Sequence, residues 1–416
     1  MVNIYPEVIN PFYCLNCQSN LEHVTIHWQG VHTCSESICK NCGNKYLVDL
    51  PINQSTVFYR ILDISTNKIF DKDGNDVTKE TRWFNDKLLS VMSPKNTLIK
   101  VDIEKKHNFK NVVILNTVDY CYGHTLLLLF NLQRLIHNLK NSGKGIVVII
   151  QPMMKWLIPK EDIAEIWTVN LTFNNVNNYY PAVSKVINEQ INRFESCYIS
   201  SGHLLPTKEN IVIENFTGIV PYCFDTKIKN PRITFIWRED PGRLWIKNIY
   251  LLKGLQKLGL GKILLPIHYL RIRLFLYLIH KKIRKTNYQL TIAGLGNYGR
   301  FQNYVDDKRV NGFSIKEEID TCQIYAESEL VIGVHGSSML LPSAHAGMAI
   351  SMMPSKRWGN FAEDILYRES DVRQASFQRR VIPINLSLLD TIDICMDMLL
   401  GRDYFIKKFM YNEESL

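Results

Sequence analysis

Three short segments carry residue types that could act on a phosphorylated ligand. In Arg238-Glu239-Asp240-Pro241-Gly242-Arg243, followed one helical turn later by Lys247, cationic side chains cluster where an apolar run ends. Arginines placed there can grip a diphosphate with their planar fork; the competing reading is a solvated turn in which Asp240 pairs with Arg243. His335-Gly336-Ser337-Ser338 follows the apolar run Leu330 to Val334 and precedes the small-residue run Ser343 to Ile350. That order predicts a buried strand, a tight glycine turn and a helix start. The free N–H groups and dipole of a helix start favour an anion, and two serine hydroxyls would add donors. Thr117 to His124 offers Asp119 and His124 as candidate bases, with Gly123 permitting close approach. An imidazole titrates near neutrality, which suits proton removal from a hydroxyl. The alternative for His124 is a cap or packing residue at the helix start.

A different chemistry sits at the amino terminus. Cys14-x-x-Cys17 and Cys39-x-x-Cys42 are two knuckles whose thiolates can meet on one tetrahedral ion, and Gly43 gives the second knuckle its backbone freedom. Four thiolates leave no open position, so a structural zinc in a small ribbon is expected, with a disulfide or unused thiols as the alternative. Cys34, His23 and His27 are spare candidates. The other cysteines, Cys121, Cys197, Cys223, Cys322 and Cys395, are scattered and read as small core residues.

The elements that must position these groups follow from the periodicity. The ribbon should end near residue 50, with strands at Val24 to Trp28 and Tyr46 to Val48. A hairpin is expected at Lys68 to Lys79 with its turn at Asp73-Gly74, and the D-x-D of Asp71 and Asp73 reads as its solvated tip rather than a metal site. Strands at Asn111 to Leu115 and Gly145 to Ile150 flank a helix at Thr125 to Leu139. A second block opens with the strand Arg232 to Trp237, continues through helix Leu244 to Leu258 and strand Gln289 to Ala293, and reaches the Leu330 strand. Alternating strands and helices in two blocks predict an α/β chain of two Rossmann-type halves facing one another across a cleft. The expected division is 1–50 for the ribbon, 51–228 for the first half, 229–385 for the second, and 386–416 for a helical tail packing back on the first half.

Gly294 to Gly299 fits G-x-G-x-x-G after a strand, but the acidic residue expected after the next strand is missing and the unit does not open its domain. It reads as a glycine-rich strand–helix turn, with Gly294 counted among the nucleotide-binding residues; a dinucleotide-dependent oxidoreductase is the weaker alternative. The segment 259–285 is rich in Leu and Ile yet basic. At 100° per residue its charges scatter around the wheel, favouring an ordinary helix with a solvated basic end over contact with a membrane surface. Ile263 to His280 contains Pro266, Arg271 and Arg273 and is not expected to span a bilayer. The net charge of +9 is too diffuse to demand nucleic acid. With no basic-then-apolar leader at the start, a cytoplasmic protein, at most peripheral to the membrane, is expected.

Tyr122-Gly123-His124 with the apolar helix after it, the strand ending in Arg238 and leading to Arg243, and Gly333-Val-His-Gly336 followed by Ser-Ser-Met-Leu resemble, in order and spacing, three motifs of glycosyltransferase family 61. The resemblance spans residues 110 to about 370. Ser337-Ser338 stand where that family usually has Ala-Gly, and the ribbon is not a family feature. The resemblance implies a GT-B fold and a hexosyl- or pentosyltransferase of polysaccharide biosynthesis. It implies a nucleotide-sugar donor held by Arg238, Arg243, Lys247, Gly294 and 335–338, and a glycan or lipid-linked acceptor. It further implies inversion with one base, His124 or Asp119, and no catalytic metal. A zinc-ribbon protein that binds nucleic acid is the remaining alternative.

Overall fold

A computed structural model describes residues 1–8, 12–160, 162–202, 211–225, 228–246, 254–255, 257–312, 314–360 and 377–409. The protein is a mixed α/β chain in two compact units, Met1–Leu205 and Pro206–Leu416.

The first unit holds two sheets. Its opening strand, β1 (Val2–Tyr5), belongs to the α/β sheet described below. An antiparallel meander then runs β2 (Leu21–Trp28), β3 (Thr33–Cys39), β4 (Lys45–Asp49), β5 (Ile61–Asp63) and β6 (Lys68–Phe70). Strand alternation gives this sheet two buried faces. Tyr46, Val48 and Ile61 pack with Cys14 and Cys39, while Leu47, Leu62 and Ile69 pack with Cys34 and Leu88. The ribbon therefore continues to residue 70 instead of ending near 50. Its last hairpin turns where expected: the Asp71 carboxylate accepts the N–H groups of Asp73 and Asn75, which accounts for the D-x-D as an exposed turn.

After helix α1 (Arg82–Leu89) come β7 (Val101–Lys105), β8 (Asn111–Asn116), α2 (Tyr122–Leu139), β9 (Lys144–Ile150), β10 (Glu165–Val169), α3 (Pro181–Ile191) and β11 (Ser196–Ile199). The sheet order is β1-β11-β8-β9-β10-β7; the inner four strands are parallel and the two edges antiparallel. Val112 to Leu115 and Ile146 to Ile150 are fully buried, the continuous apolar pattern of strands covered on both faces.

The second unit contains β12 (Arg232–Arg238), α4 (Leu265–Ile283), β13 (Gln289–Leu295), β14 (Val305–Val310), α5 (Ile315–Ala326), β15 (Ser328–Val334), α6 (Leu340–His345), β16 (Met348–Met353), β17 (Arg379–Pro383) and α7 (Leu388–Phe409). All six strands are parallel, in the order β14-β13-β12-β15-β16-β17. Counted along the chain this is the doubly wound order 3-2-1-4-5-6, and the parallel strands of the first unit show its first four members. The order reverses between β12 and β15 in one unit and between β8 and β11 in the other. Ligands of open α/β sheets bind beyond the strand C-termini at such reversals.

Three boundaries depart from the sequence reading. The units divide at 205/206 rather than 228/229, because residues 213–222 are tied to the second unit: Thr217 Oγ1 meets His345 Nε2 at 2.9 Å and the Tyr222 hydroxyl donates to Glu329. Helix α7, expected to return to the first half, buries Ile392, Cys395 and Met398 in the core of the second. Of the helix expected at Leu244 to Leu258, residues 247–253 and 256 lie outside the described residues. Leu244 to Ile246 are buried but not helical, and the Trp245 indole donates to the Ile384 carbonyl.

Candidate functional site

At the reversal in the second unit, the structure brings two of the expected segments together. Gly336 has φ +143°, and a Cβ built on it would fall on the Arg243 guanidinium. Arg243 Nη1 donates to the His335 carbonyl, so the side chain lies directly over the turn after β15. Only glycine allows that approach. Ser337 and Ser338, both half-buried, open a short 3-10 turn, Ser337–Met339, that runs into the six-residue α6. A helix this short carries little dipole, so the cation over the turn, more than a helix end, would meet an anion here.

Two candidates take other roles. The His335 side chain is fully buried, with Nδ1 3.0 Å from Ser351 Oγ; its carbonyl is the group that anchors Arg243. Arg238 is gripped by Asp240, Nε and Nη2 lying 2.7 and 2.6 Å from one carboxylate oxygen. The ion pair of this loop is thus Arg238–Asp240 and not Asp240–Arg243. Lys247 lies outside the described residues.

Gly294 is a packing position. It sits in β13 with φ +118°, opposite Trp237 of β12, whose carbonyl oxygen a Cβ would strike. The loop after it opens no helix: it leads through coil to the neighbouring parallel strand β14. Glu239, a residue with no signal in the sequence, accepts the Tyr298 N–H (2.7 Å) and the Trp237 indole (3.1 Å). Arg309 donates to the Tyr298 and Gly299 carbonyls from the other side. The glycine pattern is explained by these approaches, and the helix start that a dinucleotide fingerprint requires is missing.

The reversal in the first unit gathers different chemistry. Asp119 lies in the loop after β8 and His124 in the first turn of α2, with Asp119 Oδ1 accepting the Cys121 N–H at 2.8 Å and His124 Nδ1 at 3.1 Å. The Asp119 side chain is 3% exposed and that of His124 is 29% exposed. Because the carboxylate accepts, Nδ1 carries the proton and Nε2 is the basic nitrogen of the neutral ring. Gln151 at the end of β9 accepts the Asp119 N–H. Behind them, Lys87 of α1 is buried with its ammonium 4.0 Å from the Tyr120 ring centre, and Tyr120 meets His124 edge-on at 5.7 Å. Burial lowers the Lys87 pKa, against the pull of the nearby Asp119 charge. Nothing in the spacing of the sequence links Lys87 to this loop, because the α1 helix reaches it only through the fold.

The ribbon sheet walls this same reversal. Asn116, the last residue of β8, donates to the Gly30 carbonyl (3.4 Å) and Thr33 Oγ1 (3.3 Å), and its carbonyl accepts from Asn53 Nδ2 at 3.1 Å. Asn53 N–H in turn bonds the Ser201 carbonyl beyond β11.

The four knuckle sulfurs lie within 4.8 Å of one another, Cys14–Cys42 and Cys17–Cys39 each at 3.4 Å. Gln18 and Gly43, each following the second cysteine of its pair, have φ of +58° and +75°, so the knuckles share one backbone form. Hydrogen bonds from Ser19 and Asn41 hold the Cys17 thiol down at about 5. The donor set fits a tetrahedral thiolate-bound ion. The spare candidates are engaged elsewhere. His23 bonds Ser35, His27 bonds Glu36 and Tyr179, and Cys34 donates to Asp49. Asp49 also takes His32 Nδ1 at 2.9 Å, while His32 Nε2 reaches the Phe84 carbonyl at 3.1 Å, a fully buried tie between the ribbon and α1.

No protein-family description and no curated protein matches the sequence. Among solved structures, the chain is similar to ADP-heptose LPS heptosyltransferase II of E. coli, with TM-score 0.38 and 10% identity over 71% of this chain and 100% of that one. It is also similar to the catalytic domain of starch synthase IV of Arabidopsis thaliana bound to ADP and acarbose, with TM-score 0.24 and 9% identity over 98% of this chain and 86% of that one. Both scores lie below the level at which two chains share a fold, so neither assigns an architecture or an activity.

Proposed function

We propose that this protein is a GT-B-type glycosyltransferase that moves a sugar from a nucleotide-sugar donor to a hydroxyl of a glycan or lipid-linked acceptor. The observation that carries the reading is the Arg243 guanidinium seated on the His335–Gly336 turn at the strand-order reversal of an all-parallel 3-2-1-4-5-6 sheet. A diphosphate there would meet Arg243, the N–H groups of the turn and the hydroxyls of Ser337 and Ser338, with Arg238 available once it exchanges Asp240 for the ligand. In the transfer step the acceptor oxygen forms its bond to the anomeric carbon as the carbon–phosphate oxygen bond breaks. His124 Nε2 takes the hydroxyl proton, and the bonding pair leaves on the diphosphate, whose charge the arginines neutralise. Such a displacement inverts the anomeric centre and draws on no metal ion. Asp119 orients the imidazole and stabilises its protonated form. The cysteine cluster holds one zinc ion that stabilises the ribbon and takes no part in transfer.

Thermal shift with a panel of nucleoside diphosphates and the matching uncharged nucleosides tests the donor site. A diphosphate should stabilise the protein where its nucleoside does little. Arg243→Ala should weaken that binding by roughly 1.5–3 kcal/mol, the scale of a charged hydrogen bond. Equal stabilisation of wild type and Arg243→Ala would show that the anion binds elsewhere.

A further inference from the structure

Helix α4 turns two apolar faces in opposite directions. Ile272, Phe275, Leu276, Ile279 and Ile283 lie in the core of the second unit. On the other side Ile267, Leu270, Leu274 and Tyr277, preceded by Ile263 in the 3-10 turn Gly261–Leu264 that leads into the helix, recur at alternating four- and three-residue steps, each between 39 and 59% exposed. With the buried face fixed by the structure, the charges no longer scatter around the wheel but border this stripe. Lys262, Arg273 and Arg284 are exposed along one margin, while Arg271 and Lys282 line the other. The second margin is partly spent within the protein, since Arg271 donates to the Leu386 carbonyl and Lys282 pairs with Asp393. At the C-terminal end of the stripe the Lys281 ammonium lies 4.5 Å from the Tyr277 ring centre, an aromatic–cation pair suited to a headgroup layer.

The surrounding sequence is as one-sided. From Pro241 to Val305 there are twelve Lys and Arg and neither Asp nor Glu. That excess is larger than the net +9 of the whole chain, so the remainder is net acidic. The segment Gly261–Ile283 is long and apolar enough to cross a bilayer by length and composition. Crossing would, however, remove five core side chains of the second unit, so the helix can meet lipid only from the side.

We propose that α4 docks this protein on an anionic bilayer surface, lying in its plane with the Ile263–Tyr277 stripe at the headgroup–acyl boundary and the Lys262, Arg273 and Arg284 margin on lipid phosphates. This does not depend on the glycosyltransferase reading. Flotation of the full chain with vesicles of phosphatidylcholine alone, and with vesicles that also contain phosphatidylglycerol, tests it. Binding should require phosphatidylglycerol and weaken with added salt. Each of Lys262→Ser, Arg273→Ser and Arg284→Ser should lower partition about fivefold. Leu270→Glu with Leu274→Glu should abolish it at an unchanged melting temperature, since both side chains are exposed. Equal binding to both vesicle types, or none to either, overturns the proposal. So does a dimer in sedimentation that the double variant dissociates while the wild type ignores anionic vesicles, which would assign the stripe to a second copy of the chain.

Discussion

The two strand-order reversals share an architecture and differ in everything their loops place upon it. After β8 stands a buried carboxylate aimed at an imidazole; after β12 and β15 a guanidinium lies on a glycine turn. The first reversal is walled by a second sheet, through Gly30, Thr33 and Asn53 against Asn116. The second takes its shape from close approaches to glycine, of the Trp237 backbone at Gly294 and of the Arg243 guanidinium at Gly336. Parallel strands supply only a place where chain ends diverge, and the residues set there decide whether it holds a proton or a phosphate.

The hardest way to break this comparison is to remove the metal proposed for the ribbon. Cys14→Ser combined with Cys39→Ser should take bound zinc from about one per chain to none. It should unfold the ribbon sheet, since zinc binding in small zinc peptides is worth roughly 10 kcal/mol or more. Because Asn116 leans on Gly30 and Thr33, the Asp119–His124 loop should lose order with it, while stabilisation by nucleoside diphosphate persists. Metal analysis and thermal shift read the two halves of that statement. Undenatured, reduced wild-type protein without zinc would refute the metal, and loss of the nucleotide response together with the ribbon would refute the independence of the two sites.

A finer cut separates the sites chemically. His124→Ala should lower transfer about 100-fold or more, the ordinary size of a general-base contribution, without altering nucleotide binding. Asp119→Asn should also lower it, since an amide can donate to Nδ1 and leave the proton on Nε2. Wild-type turnover by both variants, at unchanged melting temperature, would make the loop structural.

What the sequence disclosed follows the range of the forces involved. The cysteine knuckles, the strands Asn111 to Leu115 and Arg232 to Trp237 and the hairpin at Asp73-Gly74 are local, and spacing or periodicity reveals them. Asp119 and His124 were also within reach, being five residues apart where β8 runs into α2. Lys87 and Glu239 were not, because their partners Tyr120 and Tyr298 lie 33 and 59 residues away and are brought near only by the packing of separate elements. His335 takes a different place from the one expected because a residue just past a strand's end can point to either side of the sheet, and here β16 offers Ser351 to its ring. Which face of α4 is core is not local either: a helical wheel without its neighbours cannot say which apolar stripe packs inward, and here Ile272, Phe275 and Ile279 do.

The smallest effect tests the frame of the second reversal and requires no ligand. His268 of α4 is buried, its Nδ1 accepts the Trp245 N–H at 2.9 Å, and Trp245 follows Arg243 by two residues. Burial drives its pKa from the ordinary 6.5 down to about 3, with the Arg271 charge acting the same way. A depressed folded-state value means that the neutral form stabilises the fold. That contribution is intact above the unfolded pKa, begins to fall as pH drops below it, and is spent once pH reaches the folded value. Between pH 7 and pH 5 the loss from this group should be about 2 kcal/mol, from 1.36 kcal/mol per pH unit over the part of the window crossed. His268→Gln keeps an acceptor for the Trp245 N–H and cannot titrate, so its urea midpoint should depend less on pH over that interval, whatever its absolute stability. Parallel pH profiles for the two proteins would show that His268 is not held neutral by burial. A flatter profile for the variant, with the nucleoside diphosphate response of the wild type alone fading toward pH 5, would tie the seating of Arg243 to this buried ring and leave the Asp119–His124 loop outside its influence.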